Sequence, residues 1–292
     1  MIRIEETADA AGFARQAEPL LLQKEAENNL PLGIIGRWKH GSEKDSSASM
    51  LTIYNGEEPV YITLRTPPHL WILPAVSTIN QESVTHLAYF LYENEYEVPG
   101  VLGESDAVRW FVEAWEKCSG QAGALHMKQG IYRLDQLKPV IKNDGELIVA
   151  EQKDYPLLVK WLTKYGHETG EGFHKERAAQ LAGDMISDQR MHLWQVNGTI
   201  VSMVCRARTT PNGATVNAVF TPDEYKRRGY ATQAVASLTK ALLAEGYDFC
   251  ALYTDLANET SNTIYKKIGY NLVGQSLVYH FASHHNKQSP HL

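Results

Sequence analysis

Residues 219–232 constrain the fold of this 292-residue chain more than any other stretch. They read Val-Phe-Thr-Pro-Asp-Glu-Tyr-Lys-Arg-Arg-Gly-Tyr-Ala-Thr. An apolar run stops, a short basic turn with one glycine comes next, and helix-forming residues begin at once. Such a turn gathers backbone N–H groups at one point in space. The new helix adds its unpaired N-terminal N–H groups and the positive end of its dipole. Together they form a seat for a phosphate or pyrophosphate. Val235, Leu238 and Leu242 mark one face of the helix, and Gly246 supplies its stop. Taken alone, Lys226-Arg227-Arg228 reads equally well as a solvated surface patch.

The residues downstream change that balance. Residues 249–255 (Phe-Cys-Ala-Leu-Tyr-Thr-Asp) predict a buried strand. Residues 258–270 predict a short helix with polar starters, with Ile264 and Ile268 on one face and Gly269 as its stop. At this point the chain resembles the GNAT superfamily of acetyl-CoA-dependent N-acyltransferases. That family's first signature is Gln/Arg-x-x-Gly-x-Gly/Ala after an apolar strand. Lys226-Arg227-Arg228-Gly229-Tyr230-Ala231 matches it, with Lys226 in place of Gln or Arg. The second signature is matched by Asn258, Ser261, Tyr265, Gly269 and Tyr270.

The remaining pattern of the second half agrees. Strands are expected at 146–150, 191–196, 199–207 and 216–220, with Asn197-Gly198 as a hairpin turn. Helices are expected at 154–165 and 176–186. Residues 272–281 are expected to supply a closing pair of strands around Gly274-Gln275. The resemblance implies an α+β fold of three layers over residues 146–281: a mixed, mostly antiparallel sheet with flanking helices.

The length fits two domains, read as an N-terminal α+β domain at 1–140, a catalytic domain at 146–281 and a polar tail at 282–292. In the first half, a helix is expected at 17–30 and a loop at 39–49. Strands are expected at 50–54 and 60–64 around Asn55-Gly56, with another at 70–73. Helices are expected at 81–94 and 105–117, then a connection at 119–142 that contains a strand at 124–134. The second Asn-Gly hairpin suggests a diverged repeat of the same fold; an unrelated α+β domain stays open as the alternative. No basic glycine turn comes after Trp71-Ile72-Leu73-Pro74. Trp110 and Trp115 stand where the second copy has Tyr265.

The formal net charge of −6 argues against general nucleic-acid binding. No apolar run reaches membrane length, and the N-terminus lacks a secretory leader pattern. Cys118, Cys205 and Cys250 have no metal-ligand spacing. A cytoplasmic, reduced protein without a metal is the expectation. No Walker sequence or Gly-x-Gly-x-x-Gly is present, so nucleotide binding of those kinds is set aside. His284, His285 and His291 fall in the polar tail.

The resemblance also implies a site. Val219 and Thr221 would meet the pantetheine arm of acetyl-CoA. Lys226, Arg227, Arg228, Gly229, Tyr230, Ala231 and Thr232 would surround its pyrophosphate, and Asn258 would contact the arm beyond the next strand. Tyr265 would be the general acid, from a reference pKa of about 10. Asp255, Glu224, Glu168 and Glu171 are the acidic candidates for a general base, beside a water-mediated route. Residues 166–174 sit where the acceptor site is shaped. The acceptor would be a small-molecule amine or a protein amino group, and homodimerisation is left open. An acyl-CoA sensor or interaction module without turnover is the competing reading.

Overall fold

The computed structural model describes residues 2–39, 47–140, 144–170 and 174–282. Most of the loop expected at 39–49, part of the connection at 119–142, Glu171, and the tail with His284, His285 and His291 lie outside the described residues. Contacts divide the chain into two units. The first holds Met1–Ile131, Asp255–Ala257 and Val273–Leu292, and the second holds Tyr132–Thr254 and Asn258–Leu272.

Along the first part of the chain run β1 (Ile2–Glu6), α1 (Ala10–Leu22), α2 (Asn29–Lys39), β2 (Ser49–Asn55), β3 (Glu58–Arg65), β4 (Trp71–Leu73), α3 (Gln81–Glu93), β5 (Gly100–Glu104), α4 (Ser105–Ser119) and β6 (Gly123–Leu134). The same order of strands and helices then repeats. It runs β7 (Glu146–Val149), α5 (Tyr155–Glu168), α6 (Lys175–Ser187), β8 (Met191–Val196), β9 (Thr199–Thr209), β10 (Gly213–Phe220), α7 (Tyr230–Ala244), β11 (Phe249–Asp255), α8 (Glu259–Ile268) and β12 (Asn271–Phe281). Short 3₁₀ turns at Gln152–Asp154 and Asp223–Tyr225 precede α5 and α7.

The second unit carries strands in the order β11-β10-β9-β8-β7. β7, β8, β9 and β10 pair antiparallel, and β10 pairs parallel with β11. Successive side chains of a strand point to opposite faces, so the sheet feeds two cores. Val216, Leu252 and Tyr270 join Val235, Leu238 and Leu242 of α7 in one cluster. Met203 and Phe220 join Leu158, Trp161 and Leu162 of α5 and Ala178 of α6 in another. Each large apolar side chain taken out of water contributes roughly 1.5–3 kcal/mol. These two clusters hold the helices to either face.

The first unit carries the order β1-β2-β3-β4-β5-β12-β6. Its helices start where side chains cap them. The Asp9 carboxylate accepts from the Gly12 N–H at 2.9 Å, and Glu104 Oε2 accepts from the N–H groups of Asp106 and Ala107. Instead of one helix over 17–30, the chain forms α1, a turn, and α2. Pro31 falls in the first turn of α2, where a missing N–H costs nothing. Two strands escaped the pattern reading. β1 is Ile-Arg-Ile-Glu-Glu, whose apolar residues are too few to stand out, and β5 is Gly-Val-Leu-Gly-Glu, which carries two poor strand formers.

The expected closing pair around Gly274-Gln275 is one continuous strand, β12. Gly274 does not turn the chain. It makes room, since a Cβ there would lie 2.8 Å from Glu27 Cγ. From Val273 onward the strand belongs to the first unit, a different boundary from the 146–281 expected. β12 pairs antiparallel with β5, from Ser276 opposite Glu104 to His280 opposite Gly100. Phe281 packs on Trp115 and Phe111, with ring centres 5.8 and 6.4 Å apart.

Candidate functional site

β10 and β11 begin side by side. Their pairing covers Gly213 with Phe249, Ala214 with Cys250 and Thr215 with Ala251. Both strands continue past these three pairs, but not as partners, so an opening forms between them. On its other side β10 also breaks step with β9. Asn217 pairs with Cys205 and Phe220 with Met203, which leaves two residues of β10 opposite one of β9. The bulge centres on Ala218, a non-glycine residue at φ 46°. Val219 lies in the bulge, along the opening. Thr221 comes next after Phe220, with its buried Oγ1 2.9 Å from Ser202 Oγ, which also donates to the Phe220 carbonyl at 3.0 Å.

Beyond Thr221 the chain makes its 3₁₀ turn and reaches the basic segment. Arg227 adopts φ 63° and Gly229 adopts φ 79°. Left-handed backbone is costly for a residue with a Cβ, so Gly229 is the residue type this position needs. Among the described residues five that are not glycine hold positive φ, Glu95, Gln189, Asn197, Ala218 and Arg227; Ala218 lies on β10 at the opening and Arg227 in the basic turn that follows it. Gly229 caps α7 with no side-chain hydrogen bond, and the first helical bond runs from the Gln233 N–H to the Gly229 carbonyl at 3.1 Å. The N–H groups of Tyr230, Ala231 and Thr232 therefore precede the helix ladder and lack an intrahelical partner. Arg227 and Arg228 are exposed beside them. Lys226 is directed elsewhere. Its Nζ donates to Glu168 at the end of α5, at 3.2 and 3.3 Å, and lies 2.7 Å from Asp223 Oδ1.

Asn258 caps α8, its Oδ1 accepting from the Ser261 N–H at 3.0 Å. Two turns on, Tyr265 is buried in the α7 cluster, its ring centre 6.1 Å from that of Tyr270 and inclined to it at 68°. Tyr270 in turn shares a buried 2.8 Å hydrogen bond with Thr239 of α7. Burial pushes the Tyr265 phenol up to about 12, so it stays protonated across the physiological range. Of the carboxylates considered as bases, Glu168 is paired with Lys226, Glu224 is exposed, and Asp255 Oδ1 accepts from the Ala257 N–H at 2.9 Å. Sequence reading did not single out Asn217, Ala218 or Ser202. Asn217 left one signal, a polar side chain inside the apolar run 214–220. Among the described residues no group of three or more His, Cys, Asp or Glu converges on a metal position. No helix among them is long and apolar enough to cross a membrane.

The comparisons with known proteins bear on this arrangement. The FR47-like protein family matches residues 195–279, the span that holds the bulge, the basic turn and α8. No curated relative matches the chain in sequence. Similar folds are found along its whole length. One is a GNAT-family acetyltransferase from Colwellia psychrerythraea, with 13% identity and a TM-score of 0.62, covering 97% of this chain and 100% of that one. Another is a GCN5-related N-acetyltransferase from Sphaerobacter thermophilus, with 11% identity and a TM-score of 0.64, covering 95% and 94%. The protein has the GNAT fold. A tandem GNAT protein from the clavulanic acid biosynthesis pathway is also similar, at 10% identity and a TM-score of 0.57, covering 97% and 98%. In this GNAT-fold chain the order of elements in the first part recurs in the second.

The first copy of the order lacks the equipment of the second. β4 pairs parallel with β5 from Trp71–Val101 to Leu73–Gly103, but the segment after β4 is filled from within the unit. Tyr61 donates to the Pro74 carbonyl at 3.0 Å, the buried Asn28 side chain engages Ala75, and Gln23 Oε1 accepts from the Ser77 N–H at 3.2 Å. The N-terminus of α3 is capped by Asn80, whose Oδ1 accepts from the Ser83 N–H. On α4, Trp115 is buried against Phe111, and Trp110 is partly buried against the same core.

Proposed function

We propose that the second unit transfers an acetyl group from acetyl-CoA to a primary amine. The observation that carries this reading is the parting of β10 and β11 after three residue pairs, beside a helix whose first N–H groups have no side-chain cap. An extended amide-bearing arm and an anionic end are the two features such a place accommodates, and acetyl-CoA has both. Backbone groups of Val219 and Thr221 would hold the arm. The N–H groups of Tyr230, Ala231 and Thr232 would face the pyrophosphate, with Arg227 and Arg228 adding positive charge. Acetyl-CoA, when bound, supplies an acyl group already activated as a thioester.

The chain's own residues have two tasks, to align the reactants and to manage protons. Tyr265 Oη holds its proton firmly. A phenol near 12 is a weaker acid than an ordinary thiol near 8.5. Complete transfer to a thiolate would thus be uphill, and Tyr265 serves best as a hydrogen-bond donor to the negative charge that develops on the leaving sulfur. A module that only bound acyl-CoA would have no use for such a donor, which favours turnover over the sensor reading. The acceptor is a small-molecule amine or a protein amino group.

The test measures thiol release from acetyl-CoA in the presence of spermidine, glucosamine, lysine methyl ester and an alanine-terminated peptide. Amine-dependent release supports transfer. Tight binding of acetyl-CoA with no release for any amine supports the sensor reading.

A further inference from the structure

β1 is the outermost strand of the first unit's sheet and pairs on one side only, with β2. The register runs without a shift from Ile2 opposite Asn55 to Glu6 opposite Leu51. The Thr7 N–H continues it by donating to the Met50 carbonyl at 3.1 Å. Hydrogen-bonded and non-hydrogen-bonded pairs alternate along an antiparallel ladder. Thr7, Glu5 and Arg3 therefore direct their backbone groups at β2, while Glu6, Ile4 and Ile2 direct theirs outward. Among the described residues no backbone hydrogen bond reaches that outer edge.

Free edges are commonly blunted by a proline, a bulge or an isolated charge. β1 has neither proline nor bulge. It has charges, and their order matters. Arg3 and Glu5 stand on one face of the strand, exposed and paired with each other, with Arg3 Cζ 4.4 Å from the centre of the Tyr54 ring. Ile2 and Ile4 stand on the other face, partly buried against the core of the unit.

We infer that β1 is a homodimer surface, on which it pairs antiparallel with β1 of a second copy about a two-fold axis at Ile4. The outward groups of Ile4 then bond those of Ile4 in the second copy, and Ile2 meets Glu6. Arg3 faces Glu5 across the axis and Glu5 faces Arg3, so one operation creates two opposite-charge pairs. An axis moved by half a residue sets outward backbone groups against inward ones. An axis moved by a whole residue keeps the hydrogen bonding but sets Arg3 on Arg3 or Glu5 on Glu5. In-register parallel pairing also puts like charge beside like. Charge thus selects a single register for an edge that would otherwise slip. The two-fold contact uses β1 completely, so association stops at two copies. Five residues a side make a small interface, so the dimer dissociates on dilution. The pairing is independent of the transfer function proposed above.

Sedimentation velocity of the full-length chain over a range of micromolar concentrations tests it. Monomer at the low end and dimer at the high end are expected, with no larger species. Arg3→Glu sets Glu against Glu5 twice in each dimer, and Glu5→Arg sets Arg against Arg3 twice. Either change alone is expected to raise the dimer Kd about tenfold or more, with circular dichroism unchanged. An equal mixture of the two variants puts Glu opposite Arg at both places, and is expected to recover dimers as tight as those of the wild type. A wild-type chain that stays monomeric throughout overturns the inference. So does a dimer Kd that neither variant moves, or a mixture that associates no better than the separate variants.

Discussion

Asn28 holds Ala75 by both sides of one amide. Its Nδ2 donates to the Ala75 carbonyl at 2.7 Å, and its Oδ1 accepts from the Ala75 N–H at 2.8 Å. The Asn28 side chain is almost wholly buried, and Nδ2 also reaches the Leu21 carbonyl at 2.9 Å. A neighbouring strand would satisfy Ala75 in the same way. Where the second unit leaves backbone open past β10, the first unit answers it with its own side chain.

The first prediction is therefore one acetyl-CoA per chain in a calorimetric titration of the full-length protein. Two equivalents would mean that Asn28 yields its place. Asn28→Ala leaves both Ala75 groups unpaired, at about 1–3 kcal/mol for each buried group. Urea unfolding is expected to register a loss of at least about 2 kcal/mol.

Gly229→Glu is expected to abolish acetyl-CoA binding while leaving the fold intact. The left-handed backbone at φ 79° resists a Cβ, at a cost of roughly 1–2 kcal/mol. The new carboxylate would repel the anion at the α7 N-terminus. Equal affinity of variant and wild type in calorimetry, with unchanged circular dichroism, would place the pyrophosphate elsewhere.

Lys226→Ala should do much less. Its ammonium is committed to Glu168 and Asp223, and exposed ion pairs contribute about 0–1 kcal/mol. The expectation is a small change in acetyl-CoA affinity beside a large one for Gly229→Glu. A loss as large as that of Gly229→Glu would show that Lys226 leaves its partners to bind the cofactor.

Tyr265→Phe keeps the ring and removes the hydroxyl. Turnover is expected to fall by roughly 10²–10³-fold, as on removing one donor to a developing negative charge, with acetyl-CoA affinity little changed. Unchanged turnover, with chemistry rate-limiting, would remove Tyr265 from the reaction. The same variant has a pH signature. Burial raises the folded pKa to about 12, above an unfolded value near 10. The folded chain then keeps a proton that the unfolded chain gives up. The stabilisation is complete below about pH 10 and is lost as pH rises towards 12, a loss of about 3 kcal/mol. Tyr61 and Tyr270 are raised by burial as well, so the reading is the difference between wild type and Tyr265→Phe over that window.

The second unit was largely legible because its signals are local. Strand, basic turn and helix succeed one another within 219–244, and the capping Asn258 lies seven residues before Tyr265. Asn197-Gly198 announced the β8–β9 hairpin by itself. The features that stayed hidden depend on distant partners. Nothing near Asn217 in sequence says that its buried side-chain carbonyl will lack a donor. Lys226 carries the charge of a phosphate ligand, and only the fold brings Glu168, 58 residues away, against it. In the first half, Asn28 and Ala75 are 47 residues apart, and no spacing rule connects them. β12 was misread for a related reason. A glycine in a strand is read as a turn unless the side chain it accommodates, here Glu27, is known.

The placement of β12 also sets an order of events at the ribosome. Residues 273–281 are made after every residue of the second unit, yet they complete the sheet of the first. Until they emerge, the edge of β5 has no neighbour on that side, and Trp115 and Phe111 wait for Phe281. Domains generally fold as they are synthesised, N-terminal first. The first unit can close only after the second has been made, and its unpaired edge is a template for wrong partners throughout that interval.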